Sequence, residues 1–233
     1  MKLSLLDKAR GLVQELGPSG ALCYLLHRVG ARTGGLLAVH RYLLVAQPVL
    51  PEPLLLGRRG RSIDVRQLDP QDPRLLALPL DATVLGYRAS QGAVCFAAFK
   101  EEAIIGCLWL CLSTYDEDEV RCRYRPWPSG EASWDFDVYL LPEHRSGLGF
   151  VRLWDEANAF LRQRGIAFSW SRISAFNPLS LTSHARLGAR VAGRATFLRL
   201  GPCQFMVASL PPRWHLSFRR MDRPSITLQN PVR

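Results

Sequence analysis

The segment Leu140-Leu141-Pro142-Glu143-His144-Arg145-Ser146-Gly147-Leu148-Gly149-Phe150 joins an apolar strand to an amphipathic helix through a short polar loop. Backbone N–H groups at a helix start have no partner inside the helix, and glycine lets a ligand approach them closely. The segment therefore suits an anion, and the pair Gly147 and Gly149 suits a pyrophosphate. A glycine-containing helix start of ordinary structural purpose would read the same way.

A second helix start follows at Asn177-Pro178-Leu179-Ser180-Leu181-Thr182-Ser183-His184-Ala185-Arg186-Leu187-Gly188-Ala189. Asn177 takes the N-cap position, and Ser180 and His184 fall one turn apart on one helix face. An imidazole there could act as a general acid or simply pack. Before the first loop, Asp135 and Asp137 alternate with Trp134, Phe136 and Val138, which predicts both carboxylates on one strand face. That face fits either a base that deprotonates an amine or a half-buried strand with its polar side in water. His27, His40 and His215 show no metal-ligand spacing, and the six cysteines include no Cys-x-x-Cys, so no metal is expected.

Several elements must position these residues. Residues 1–34 predict two short amphipathic helices separated at Gly17-Pro18-Ser19-Gly20, and Leu36–Val49 is an apolar run. A Pro- and Gly-punctuated passage from Pro51 to Arg61 reads as a linker. The boundaries expected are a helical extension with linker over 1–61, a main domain over 62–210 and a tail over 211–233. Within the main domain a strand begins at Ser62, and a helix begins near Arg74. Val94–Phe99 and Ile104–Leu112 form a hairpin around Lys100-Glu101-Glu102, and Asp116–Glu119 opens a solvated excursion. Strands at Trp134–Leu141 and Phe168–Ser174 alternate with helices at 147–164 and 178–187, and strands at Thr196–Leu200 and Phe205–Leu210 close the pattern. The fold class is mixed α/β: a mostly antiparallel sheet with one splayed parallel pair, flanking helices and an N-terminal helical extension.

The two glycine- and asparagine-led segments together resemble the GNAT superfamily of N-acetyltransferases. Its pyrophosphate loop reads Gln/Arg-x-x-Gly-x-Gly/Ala, and its later helix reads Asn-x-x-Ala/Ser-x-x-x-Tyr-x-x-x-Gly-Phe. Residues 177–189 keep the second spacing throughout, with His184 in the tyrosine place and Ala189 in the phenylalanine place. In the loop, Gly147 and Gly149 align, His144 holds the first place, and Arg145 falls one position later. The resemblance covers roughly residues 62–210. It implies an acyl thioester of coenzyme A, acetyl-CoA or longer, lying along Leu140 and Leu141, and an amine that attacks it directly. It further implies that the N–H near Leu140 polarises the thioester carbonyl. His144, Arg145, Ser146, Gly147, Leu148, Gly149 and Phe150 would hold the pyrophosphate, with Arg145 and Arg152 adding charge. Asn177 and Ser180 would contact the pantetheine arm, and His184 would protonate the departing thiolate.

Length and composition agree with a folded chain: 233 residues, 48% hydrophobic, 21% charged, mean hydropathy −0.01. Charge is unevenly placed. Residues 145–233 carry 14 Arg against Asp155, Glu156 and Asp222, while 1–144 are nearly neutral. Such a field suits phosphates, an acidic acyl carrier protein or an anionic lipid surface. It leads to a second reading, a long-chain N-acyltransferase of lipid precursors working at the inner face of a membrane. A third is a catalytically silent CoA-binding module. Nucleic acid is the least suited partner, since no basic stripe interleaves with aromatics. The longest apolar stretch is too short to span a membrane, and a cytoplasmic protein, with a homodimer as the default assembly, is the expectation.

Overall fold

The computed structural model describes residues 5–30, 32, 36–219 and 221–229. Alternating apolar stretches become strands β1 (Leu37–Pro48), β2 (Asp64–Leu68), β3 (Val94–Lys100), β4 (Ala103–Cys111), β5 (Tyr115–Asp116), β6 (Arg123–Pro126), β7 (Ala132–Leu140), β8 (Phe168–Ser174), β9 (Arg190–Leu200), β10 (Cys203–Ala208), β11 (Trp214–Ser217) and β12 (Ser225–Leu228). The helices are α1 (Leu5–Gly30), α2 (Ala82–Ser90), α3 (Gly149–Arg162) and α4 (Pro178–Arg186). Nine strands make one sheet in the order β11-β10-β9-β1-β8-β7-β4-β3-β2, and β12-β6-β5 make a smaller one.

One pair in the large sheet decides the architecture. β7 and β8 are parallel neighbours, but their register runs only from Ala132↔Phe168 to Trp134↔Trp170. Beyond Trp134 the two strands part, so each keeps one edge without a partner there. All other pairings in the large sheet are antiparallel. The expected mixed sheet with a splayed parallel pair is thus present.

The sheet is covered on both faces. On one face Trp109, Trp134, Trp170 and Phe197 pack with Tyr115, Tyr124 and Ile226 of the small sheet. On the other, α3 buries Leu153, Trp154, Ala157 and Leu161 against Phe96, Ile105, Leu108 and Leu110. A helical-period apolar face meeting a period-two strand face is what fixes this layer.

As expected, the N-terminal helix is broken at Gly17, whose φ of 69° is open to glycine, so α1 is two helical segments joined across a kink. The chain departs from the sequence reading in three places. The Leu36–Val49 run is not part of a separable extension: β1 lies in the sheet between β8 and β9. The expected division near residue 61 therefore does not follow the sheet, and residues 211–233 are not a plain tail, since β11 extends the large sheet and β12 pairs with β6. The acidic excursion is also partly interior, because Glu117 is buried.

Candidate active site

The open edges of β7 and β8 border a cleft of about 190 Å³ lined by Asp135, Val138, Ser171, Asn177, Ser180 and His184, among others. The β7 edge is shaped by a bulge. Phe136 pairs with Trp109 and Tyr139 with Cys107, so Asp137 and Val138 together oppose Leu108. Asp137 has φ of 48°, which aspartate tolerates better than a branched residue. Leu141 donates its N–H to Ile105, and successive strand amides alternate in direction. The N–H groups of Val138 and Leu140 consequently face the open side.

The same strand leads into the loop expected to hold an anion. After a 3-10 turn at Pro142–His144, the amides of Ser146, Leu148, Gly149, Phe150 and Val151 have no backbone acceptor, whereas Arg152 begins the helical ladder by donating to Leu148. Gly149 packs on the strand, and a Cβ there would lie 2.9 Å from Leu140 Cδ2, so that side-chain end would have to shift. At Gly147 a Cβ would meet only the His144 carbonyl, at 3.5 Å. Arg145 turns back, donating from Nε to the Leu140 carbonyl at 2.9 Å with its guanidinium 5.4 Å from the Tyr139 ring. Arg152, expected to add charge to the loop, instead pairs with Glu156 at 3.0 Å and donates to the Ile63 carbonyl. His144, in the first motif place, ends the 3-10 turn and is half-buried.

The two strand carboxylates separate. Asp135 is buried, accepts a hydrogen bond from the Ser169 hydroxyl at 2.5 Å and faces the cleft on the α4 side. Burial raises its carboxyl to about 7, against the lowering effect of the serine hydroxyls. Asp137, at the bulge, also borders the cleft, but its carboxylate pairs at 2.7 Å with buried Arg88 of α2, whose guanidinium lies over Trp109. The expectation that both share one face fails because the bulge inserts a residue and reverses the alternation.

On α4 the N-cap is as expected, with Asn177 Oδ1 accepting from the Ser180 amide at 3.1 Å. His184 lies beside Gln47 of β1, with Nδ1 3.0 Å from Oε1, and its ring meets Phe150 and Trp154 edge-on. Burial pushes the imidazole down to about 4. It is neutral near pH 7, so the imidazolium expected to protonate a thiolate is not formed there. With Nδ1–H donated to Gln47, Nε2 is an acceptor.

A polar cluster, whose acids the sequence reading left at the surface, borders the cleft through Arg172 and continues on the small-sheet side. Arg172 of β8 donates to both oxygens of buried Glu117 at 2.8 Å and pairs with Glu119 at 3.0 Å, lying over the Tyr42 ring. The Tyr42 hydroxyl donates to Glu119, and His40 Nδ1 is 3.2 Å from that hydroxyl. Burial alone would raise Glu117, but the Arg172 charge and hydrogen bonds hold it at about 2. Asp118 stands at the open side, and partial burial beside Glu117 raises it to about 6. The sequence signal for Arg172 was a lone charge in a strand that alternates Phe168 and Trp170 with serines; for Gln47 and Tyr42 it was a polar tip in the run Leu36–Val49.

Among the described residues no group of His, Cys, Asp and Glu is placed to hold a metal, and no helix is long and apolar enough to cross a membrane.

No protein-family model and no curated protein matches the chain. Solved structures do. One is described as a GNAT-family acetyltransferase from Novosphingobium aromaticivorans, at 15% identity and TM-score 0.48 over 68% of this chain and 62% of that one. An aminoglycoside acetyltransferase from a soil metagenome is similar at 12% identity and TM-score 0.41, over 55% of this chain and 88% of its own. A Trypanosoma brucei acetyltransferase is similar at 19% identity and TM-score 0.40, over 55% and 93%. The chain spans less than two thirds of the Novosphingobium protein, and the likeness is one of fold.

Proposed function

We propose that this protein transfers an acyl group from an acyl-CoA thioester to an amine in the cleft between β7 and β8. One observation carries the reading: a row of unpartnered amides runs from Val138 and Leu140 on the open strand edge into Ser146, Leu148, Gly149, Phe150 and Val151 at the α3 start. A strand edge without a neighbour can pair with an amide-bearing arm, and the helix start can hold its phosphates. The residues fit the group on that ground, and Gly147 and Gly149 put no side chain beside those amides.

Bound acyl-CoA would supply the acyl group in activated form, as a thioester. The amide of Val138 or Leu140 would stabilise the negative charge that develops on the carbonyl oxygen during attack. Asp135 is the base, because a buried carboxyl near pH 7 is matched to take a proton from an ammonium as the amine becomes a nucleophile. Ser169 holds that carboxyl in place. Asn177 and Ser180 would border the pantetheine arm, and His184 with Gln47 would wall the cleft beside the leaving sulfur. A neutral His184 leaves the thiolate to take its proton from water or from the proton that Asp135 releases.

The test is a thermal-shift titration with CoA, acetyl-CoA and longer acyl-CoAs, followed by an amine panel. Stabilisation by CoA together with loss of turnover in Asp135→Asn supports the reading. No stabilisation by any of these ligands overturns it.

A further inference from the structure

The sheet face on the α1 side is covered unevenly. α3 lies over β2, β3, β4 and β7, and α1 over β1, where Val39 is buried. Toward the β11 edge the register aligns two rows across the strands, Leu198 with Phe205 and Leu216, and Thr196 with Val207 and Trp214. Phe205, Val207, Leu216 and Trp214 are exposed, Trp214 at 69%. On the opposite face of the same strands Phe197 and Met206 are fully buried, so the exposure belongs to one face rather than to a loose edge. α1 lies on this side too, because Arg41, the β1 partner of Thr196, donates to Ser19 Oγ at 3.3 Å. Leu22, Leu25 and Val29 of α1, spaced by three and four residues, form an exposed apolar stripe.

An apolar patch of this kind marks an interaction surface, and its charge selects the partner. Between residues 157 and 221 the chain has ten Arg and neither Asp nor Glu. Arg194 stands on the patch face two residues before Thr196, and Arg213 precedes Trp214; both are exposed. A second copy packed on this face about a two-fold axis would set these arginines against their own counterparts with no acid to pair them. Exposed Trp, Phe and Leu flanked by Arg suit a lipid interface, where rings sit at headgroup depth and guanidinium groups reach anionic phosphates.

We infer that this face, with the α1 stripe, seats the protein on an anionic lipid bilayer. The inference does not rest on the acyl-transfer reading. Tyr24 and His27 of α1 meet Phe176, next to cleft-lining Asn177, so the bilayer would lie close to the cleft.

The test is flotation of the full chain with vesicles of phosphatidylcholine alone and with about 30 mol% phosphatidylglycerol at low salt, since anionic headgroups supply the attraction. Binding is expected only with the anionic vesicles, at least tenfold weaker for Phe205→Ser/Trp214→Ser/Leu216→Ser, checked for folding by its melting curve. In a Trp127→Phe background, which leaves Trp214 as the exposed tryptophan, emission should shift to the blue on binding. Should the triple variant not fold, Arg194→Glu/Arg213→Glu is expected to lose at least tenfold, and unchanged binding in that variant overturns the inference. So does absence of flotation, flotation undiminished by the serine substitutions, a dimer that those substitutions dissolve, or capture by an acidic carrier protein in preference to vesicles.

Discussion

Gly147→Glu separates electrostatics from sterics at the proposed phosphate cradle. Gly147 is exposed, has no positive φ, and offers a Cβ only an ordinary contact at 3.5 Å, so a larger side chain fits without moving the loop. A carboxylate about 5 Å from one phosphate charge, at an effective dielectric constant of roughly 40 for this half-open site, costs about 1.7 kcal/mol. With the second phosphate somewhat farther away, the sum is roughly 2.7 kcal/mol, or about a hundredfold in Kd. Gly147→Gln has nearly the same volume and no charge, and should stay within about threefold of the parent. Isothermal titration with CoA measures both, and repeating it near 1 M salt should shrink the Glu penalty to under tenfold, since the screening length falls to about 3 Å. Equal weakening by Gln and Glu would mean that bulk, not charge, acts at this position. Equal affinity in all three proteins would place the pyrophosphate elsewhere.

The remaining predictions concern stability as much as rate. Asp135 has a raised proton affinity in the folded chain, so the native state holds its proton over a range where the unfolded state does not, and stability contributed by the group falls as pH rises from about 4 to about 7. Asp135→Asn should therefore be more stable than the parent at pH 8 by chemical denaturation, by up to a few kcal/mol, with no gain at pH 4, while losing turnover; a constant offset across pH would refute the buried-carboxyl account. Turnover of the parent should rise with pH through about 7 as Asp135 ionises. Arg172→Ala leaves Glu117 buried without its partner and should cost about 3–5 kcal/mol by chemical denaturation, whereas Arg172→Ala/Glu117→Gln should recover part of that loss. Gly106→Ala should be more damaging than Gly149→Ala, because its Cβ would lie 2.3 Å from the Tyr139 carbonyl, a backbone atom, rather than against the movable end of Leu140; comparable melting points would contradict this.

Much of this could be seen in residue pattern, and what could not has a physical reason. Apolar runs around a polar turn located β3 and β4, alternation located β7 and β8, and the helix starts of α3 and α4 followed from cap and loop chemistry that acts within a few residues. The row of open amides at the α3 start was legible because it comes from one continuous segment. Asp135 and Asp137 were misread because a bulge depends on how β7 meets β4, and alternation alone cannot announce an inserted residue. Glu117 was misread because a four-residue acid run looks solvated until its counter-ion is known, and Arg172 arrives from a strand 55 residues away. The neutral state of His184 follows from Phe150, Trp154 and Gln47 closing around it, a property of packing that helical spacing does not contain.

The placement of β1 ties these misreadings together. Inserted next to β8, it carries Gln47 on one face, against His184 at the cleft, and Tyr42 on the other, against Arg172 and Glu119. Residues set apart by composition as an N-terminal extension thus reach the candidate site from both sides of the sheet. Since β1 also fills the position between β8 and β9, removing residues 1–61 would open the large sheet at its centre and strip His184 and Arg172 of neighbours in the same step. A truncated chain is therefore expected to lose cooperative unfolding altogether rather than retain a weakened cleft, and a folded 62–233 fragment that still binds CoA would show that the sheet closes, and the site forms, without this strand.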